Sequence, residues 1–345
     1  MRVAVVGGGV LGMSIAHHLA RRGAGVVLAT ENTLASEASG RSLSWLNSWA
    51  VRSPWYHELR LEGIARYRAL QPVVGKQWLR FDGGLAWGDT DEIYAHHQAI
   101  GYPTSRVPSA SGVVVPPGGA LYNPLEGWVD LPSLIAYLRG QFSGRIVEQA
   151  GPVRLATEGS RVTGIHAFSQ FYGADVVVLA TGASVPVALG EFGLSIGAAT
   201  APAVLVHTAP VRTGLEVVVN TPEISLRPTP NGGLALGAAW AEKEVHADGS
   251  VDSSTVDKML AAARAVLSGH PELSASFVGA GLKPIPADDE PVLGPVPSVD
   301  RLYVAFTHSG ATLALIIGEL VAGEILTGKA DPRLARYRVD RFVTT

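Results

Sequence analysis

Gly7, Gly9 and Gly12 stand in a G-x-G-x-x-G array, and Glu31 follows 19 residues after the last of them. These residue types at this spacing suit phosphate and ribose chemistry. Gly7 permits a tight strand-to-helix turn. Gly9, without a Cβ, lets a pyrophosphate approach the backbone, and Gly12 lets the helix pack closely on the strand. The amides of the first helical turn, including Val10 and Leu11, then point at the anion. Glu31 suits the ribose hydroxyls of an adenosine, and its charge opposes a 2′-phosphate. The array predicts a bound dinucleotide and by itself does not separate FAD from NAD.

The elements needed to position this array are present around it. Arg2–Val6 is an apolar, β-branched run of the kind found in buried parallel strands. Leu11, Ile15, Ala16 and Leu19 then recur at helical period, and Gly25 to Thr30 reads as a second strand. "GADVVVLATGAS" (173–184) is a strand entering a small-residue turn. "GPVRLATEGSRVTGIHAF" (151–168) is a hairpin. Residues 300–326 read as strand, glycine turn and long apolar helix. Residues 77–129 and 201–280 carry short strands, Pro, Gly and aromatics, with a turn at Asn231-Gly232-Gly233 and a helix over Thr255–Leu267. The expected fold is α/β: a Rossmann-type dinucleotide-binding domain (1–76, 130–200 and 281–345) interrupted by an antiparallel-sheet substrate domain (77–129 and 201–280).

Composition narrows the function classes. The chain has 345 residues, 47% apolar and 17% charged, with a net charge of −3 and no cysteine. The absence of cysteine excludes disulfides, thiolate metal sites, cysteine nucleophiles and a thioether-linked cofactor. No basic footprint for nucleic acid is present. His17-His18 and His96-His97 are adjacent pairs whose rings diverge on a helix, so no metal site is expected. Gly323 to Lys329 approaches a P-loop, but Ala330 replaces the hydroxyl residue and the glycines end a helix. The apolar stretch 302–326 holds His308, Ser309, Thr312 and Glu319, which argues against a membrane span. A strand starting at Arg2 leaves no room for a leader, so a cytoplasmic location is expected. Nothing in the sequence fixes an oligomeric state.

Taken in order along most of the chain, five stretches resemble the FAD-dependent D-amino-acid oxidase superfamily, particularly its glycine oxidase and sarcosine oxidase-like branch. They are "VAVVGGGVLG" with Glu31, "ASEASGRSLSWLN" (35–47), "VVVLATGAS", "GLKPIPADDEPVLGPVP" (281–297) and "THSGATLAL" (307–315). The resemblance implies non-covalent FAD. Gly7, Gly9, Val10, Leu11, Gly12 and Glu31 would hold its ADP half. Ser39, Arg41 and Ser42 would meet the pyrophosphate or flavin chain, and Val153 would present backbone to the adenine. Ala180, Thr181 and Gly182 would line the channel. Gly310, Ala311, Thr312 and Leu313 would place amides at the flavin's pyrimidine edge, where a helix N-terminus stabilises negative charge.

The family pattern is broken at informative places. The substrate-binding arginine of "GLRP" is Lys283 here, a point charge in place of a planar fork. The lysine that assists oxygen in the sarcosine oxidase-like branch corresponds to Ala235. Lys283 is read as binding an anionic substrate group or assisting oxygen. His308 is read as lying over the flavin, with Trp45 and Asn47 walling the active site. Arg227 is either a second anion anchor or a packed strand-end residue. The implied reaction is oxidation of the C–N bond of a small amine or amino acid, with hydride passing to the flavin and oxygen reduced to hydrogen peroxide. A flavin dehydrogenase with another acceptor, a catalytically silent FAD-binding subunit and an NAD-dependent dehydrogenase are the alternatives.

Overall fold

The computed structural model describes residues 1–342. The chain forms two compact units. The first is Met1–Gly40, Leu131–Ala201 and the chain from Leu282 onward. The second is Arg41–Asp130 with Pro202–Gly281.

In the first unit, six strands lie in the order Val292–Pro295, Leu302–Phe306, Val176–Leu179, Arg2–Val6, Gly25–Ala29, Arg145–Val147. All neighbours are parallel except the edge pair Val292–Pro295 and Leu302–Phe306. Val3, Ala4, Val5 and Val6 are all buried, the double-sided burial that a continuous apolar run predicts. From Arg2–Val6 the chain moves outward through Gly25–Ala29 to Arg145–Val147. It then restarts on the other side at Val176–Leu179. Strand order therefore reverses between Arg2–Val6 and Val176–Leu179, the kind of crevice in which open α/β sheets bind ligands.

Two helices, Val10–Arg21 and Gly310–Thr327, pack together in this unit. Gly318 makes the close approach possible, because a Cβ there would lie 2.9 Å from Ser14 Cβ. Among the described residues, Gly310–Thr327 is the one helix long and apolar enough to cross a membrane. It is a core helix of this unit, with 67% of it buried. Gly328, left-handed at φ 66, caps its C-terminus, as the glycines at this point predict. Buried Glu324 on its last turn accepts from Asp331 N (2.5 Å) and Arg338 Nη1 (2.9 Å), tying the C-terminal segment down. The hairpin of 151–168 is present as the antiparallel pair Arg154–Glu158 and Arg161–Ala167.

The second unit is built on a sheet in the order Ala275–Ile285, Ala199–Thr208, Leu234–Gly237, Ser225–Pro228, Val218–Asn220, Gly84–Ala86, Ala120–Asn123, Ser105–Val107. The turn at 231–233 joins Ser225–Pro228 to Leu234–Gly237, with Gly232 at φ 81. One pairing departs from the antiparallel expectation: Val218–Asn220 runs parallel to Gly84–Ala86. These two strands come from distant segments, so no hairpin dictates their direction. The helix read at Thr255–Leu267 spans Ser253–Val266, with Val256, Met259 and Ala263 buried on one side.

Residues 41–76 group with the second unit. The helix Pro54–Val74 is the reason. Arg60 Nε donates to Asn47 O (2.8 Å), Gln71 Nε2 to Leu79 O (2.9 Å) and Arg68 Nη2 to Pro124 O (2.9 Å). These bonds hold the 41–47 loop, the helix and the strand Leu79–Arg80 in one body.

Candidate active site

Val6 is in register with Leu179, so Gly7 comes to lie beside Ala180 at the sheet's switch point. Gly7 has φ 120. A Cβ there would lie 2.6 Å from Ala180 C and 3.0 Å from Thr181 N, which is why no other residue fits. A Cβ on Gly12 would press on the Gly7 carbonyl, 3.1 Å from its carbon. Gly9 differs from both. It caps the helix in extended backbone (φ −78, ψ 177), and its Cβ position meets only Ser39 Oγ, at 3.3 Å. Ser39 Oγ accepts from Val10 N (3.0 Å), and Met13 N is the first amide to bond back along the helix, to Gly9 O. The amides of Leu11 and Gly12 precede that bond and have no acceptor in the helix.

The turn before Gly310–Thr327 ends at the same place. The Cβ position of Gly310 is 3.7 Å from Val10 Cγ1. Leu313 N bonds Ser309 O, the first rung of this helix. Thr181 Oγ1 is buried without a hydrogen-bond partner among the described residues. Gly182, at φ 57, opens onto empty space. On the other flank, Gly151 N bonds Glu31 O (3.2 Å), which brings the Val153 segment beside the exposed Glu31. This unit thus brings together Gly7, Gly9, Val10, Leu11, Gly12, Ser39, Ala180, Thr181 and Gly310, and gathers Glu31 with Val153.

The DAO family, described as FAD dependent oxidoreductase, matches residues 2–324. The chain belongs to that family. It is 25% identical to glycine oxidase of Geobacillus kaustophilus over 375 residues, covering 99% of this chain and 97% of that protein. Crystal structures of glycine oxidase from Geobacillus kaustophilus and of L-proline dehydrogenase from P. horikoshii share its fold. Their TM-scores are 0.82 and 0.81, at 22% and 18% identity. Each match covers 99% of this chain, with 100% and 97% of those chains.

FAD is the cofactor of this DAO-family chain, and the residues present fit it. The glycine turn presents a cradle of amides without helical acceptors, and Thr181 Oγ1 has no partner among the described residues. In the second unit, Arg41 Nε is buried with no partner among the described residues. Ser42 Oγ accepts from Ser44 N (3.0 Å), so it braces its own loop.

Trp45 and Asn47 lie above a buried polar cluster that sequence reasoning missed. Asn47 Oδ1 accepts from Trp49 N (3.0 Å) and Arg60 Nη2 (3.1 Å), and its Nδ2 donates to Trp45 O (3.0 Å). Its amide therefore shapes the loop. Glu126 is fully buried. Its Oε1 accepts from Tyr102 OH (2.9 Å), and Tyr102 OH accepts from Ser48 N (3.2 Å). Oε2 faces the Trp45 indole across Gly84, where a Cβ would be 3.1 Å from Trp45 Nε1 and in collision with Oε2. Burial pushes the Glu126 carboxyl up to about 8, against the pull of the Tyr102 hydroxyl, the Trp45 N–H and Arg60. Burial also lowers His57, which bonds Ser48 Oγ (2.8 Å), and His97, which bonds Thr104 Oγ1 (2.8 Å). An acid at 126 among short strands gives no periodic signal; only the chain's return beside Trp45 reveals it.

Across the sheet, Arg227, Ala235 and His207 are cross-strand partners and share one face. His207 is lowered by burial and then by Arg227, and its Nε2 is buried without a partner among the described residues. Arg227 is 1% exposed and bonded to Leu43 O and Pro228 O. In the first unit, Lys283 is partly buried on Ala275–Ile285, and His308 is exposed in the turn before Gly310. No group of three His, Cys, Asp or Glu among the described residues is arranged to hold a metal.

Proposed function

We propose that this chain oxidises the C–N bond of a small amine or amino acid and that oxygen takes the electrons, giving hydrogen peroxide. The observation that carries this reading is the meeting of two helix starts, at Val10 and Gly310, on one edge of the first unit's sheet. One suits a pyrophosphate and the other the electron-rich edge of a ring. The names of relatives and fold neighbours, glycine oxidase and L-proline dehydrogenase, point to amino-acid substrates.

FAD, when bound, supplies the two-electron acceptor for the C–H bond next to nitrogen. The protein's share is binding and electrostatics. Gly7, Gly9, Val10, Leu11 and Gly12 hold phosphate with backbone amides, Ser39 orders that turn, and Glu31 accepts from ribose hydroxyls. Arg41 meets the pyrophosphate or flavin chain. Thr181 and Gly182 line the channel, and Gly310 to Leu313 favour negative charge on the reduced ring. Trp45 walls off water, which keeps the amine neutral and able to give up hydride. Asn47 holds Trp45 in place. Lys283 offers a point cation to an anionic substrate group, with exposed His308 beside the ring. The amine loses two electrons and two protons, and water then hydrolyses the imine.

Anaerobic mixing with an amine and amino-acid panel is expected to bleach the flavin with at least one member. For that substrate, Lys283→Met raises KM on the order of 10-fold or more, as loss of a charged hydrogen bond would, with flavin content unchanged. Failure of every amine to bleach it would remove the reading; unchanged KM would remove Lys283's role. A dehydrogenase is the second reading, favoured by Ala235, which is fully buried where the sarcosine oxidase-like branch carries lysine. Slow reoxidation of reduced enzyme in air-saturated buffer would select it.

A further inference from the structure

The structure assigns Arg227 a positioning role toward FAD: its guanidinium fixes the carbonyl of Leu43 and so sets the loop from Arg41 to Trp45 in its cofactor-meeting shape. Arg227 sits in the middle of the second unit's sheet on Ser225–Pro228, with only 1% of its surface exposed. Nε donates to Leu43 O at 2.5 Å and Nη1 to Pro228 O at 2.8 Å. Nη2 lies 3.7 Å from Asp130 Oδ1, and the guanidinium carbon is 4.9 Å from the Trp128 ring. Its cross-strand neighbour Ala235 is small, which leaves the long side chain room to reach the loop.

The loop needs such a hold. Ser44 is in the left-handed region at φ 57, which a residue with a Cβ adopts only when its surroundings impose it. Two local bonds, Ser44 N to Ser42 Oγ (3.0 Å) and Ser44 Oγ to Ser42 O (3.1 Å), shape the turn, and Val129 N donates to Ser44 O (3.2 Å) at its far side. Arg227 adds the attachment on the Arg41 side, at Leu43 between the two serines. Two residues earlier, Arg41 Nε is buried and unpartnered. A fixed Leu43 carbonyl therefore fixes where Arg41 presents its charge. A buried arginine is an expensive way to fill a core, since an apolar side chain of similar volume packs as well without desolvating a charge. Burial depresses the guanidinium to about 10 even with Asp130 raising it.

The inference rests on the reading of this loop as one that meets FAD, and the test separates the two. Full-length apoprotein of wild type, Arg41→Met, Arg227→Met, Arg227→Lys and the Arg41/Arg227 double variants is titrated with FAD, and apoprotein thermal stability is read alongside. Arg227→Lys keeps the charge facing Asp130 and serves where Arg227→Met fails to fold. Arg227→Lys is expected to weaken FAD binding on the order of 10-fold, the effect of losing one charged hydrogen bond. Arg41→Met is expected to weaken it by a similar factor or more. If Arg227 acts through the loop, the double variant binds little worse than Arg41→Met alone. A purely structural arginine would give additive losses that follow apoprotein stability, and that result, or full affinity in Arg227→Lys, overturns the proposal. An unaffected Arg41→Met would instead overturn the loop's contact with FAD.

Discussion

Aspartate at position 9 will abolish FAD binding while leaving the fold intact. Gly9 is in ordinary extended backbone, and a Cβ there meets only Ser39 Oγ at 3.3 Å, so a side chain can be added without strain. As the residue capping Val10–Arg21, aspartate is a better N-cap than glycine by a few tenths of a kcal/mol. The apoprotein should therefore melt at the wild-type temperature or slightly above. The same carboxylate would stand beside the helix amides where the pyrophosphate must lie. Two like charges about 4 Å apart at an effective dielectric of about 20 repel by about 4 kcal/mol, or ~10³-fold in affinity. The purified variant should be colourless, and flavin titration should show no saturation at micromolar FAD. Gly9→Ala serves as the steric control and should retain most of the cofactor. A yellow, tightly loaded Gly9→Asp protein would mean that the pyrophosphate lies elsewhere.

Glu126 will make the protein lose stability as pH rises from about 4.5 to about 8. Its carboxyl has a pKa of about 8 in the folded chain, raised by burial from 4.5. The folded state holds its proton more tightly than the unfolded chain does. The stabilisation is thus complete below about pH 4.5, declines as pH rises, and is gone once pH passes 8. At 1.36 kcal/mol per unit the full swing is roughly 5 kcal/mol. His57, His97 and His207 act in the opposite sense. Their folded values are lowered, so they remove stability as pH falls through 6.5 and below. Denaturant unfolding should show an optimum between these limbs. Glu126→Gln, which still accepts from Tyr102, should flatten the high-pH limb and leave the acid limb alone. An unchanged high-pH limb would show that the carboxyl is ionised in the folded protein.

Much of the first unit could be read from residues that answer to local rules. Gly7, Gly12 and Gly328 stand where backbone geometry or close packing allows little else, and Val3 to Val6 display their double-sided burial directly. The second unit was harder because its order depends on contacts between distant segments. The helix Pro54–Val74 has apolar residues scattered around its axis, and only Ser53-Pro54 marks its start. Glu126 looks like any loop acid until Tyr102 and Trp45 are brought to it. Arg227 could be weighed as anchor or packing from its motif, but Leu43 O lies 184 positions away along the chain. No local pattern announces such a partner.

The first unit completes its binding edge with a helix from the far end of the chain: Gly12 and Gly310 are about 300 residues apart. At a translation speed of roughly 5–20 residues per second, the early glycine turn leaves the ribosome ~15–60 s before its counterpart. During synthesis the nascent polypeptide presents half a binding edge with the apolar partner helix still missing. Flavin acquisition is consequently an event of the finished chain, and a truncation that removes the last forty residues should yield a protein unable to take up flavin even when every amino-terminal contact residue is present.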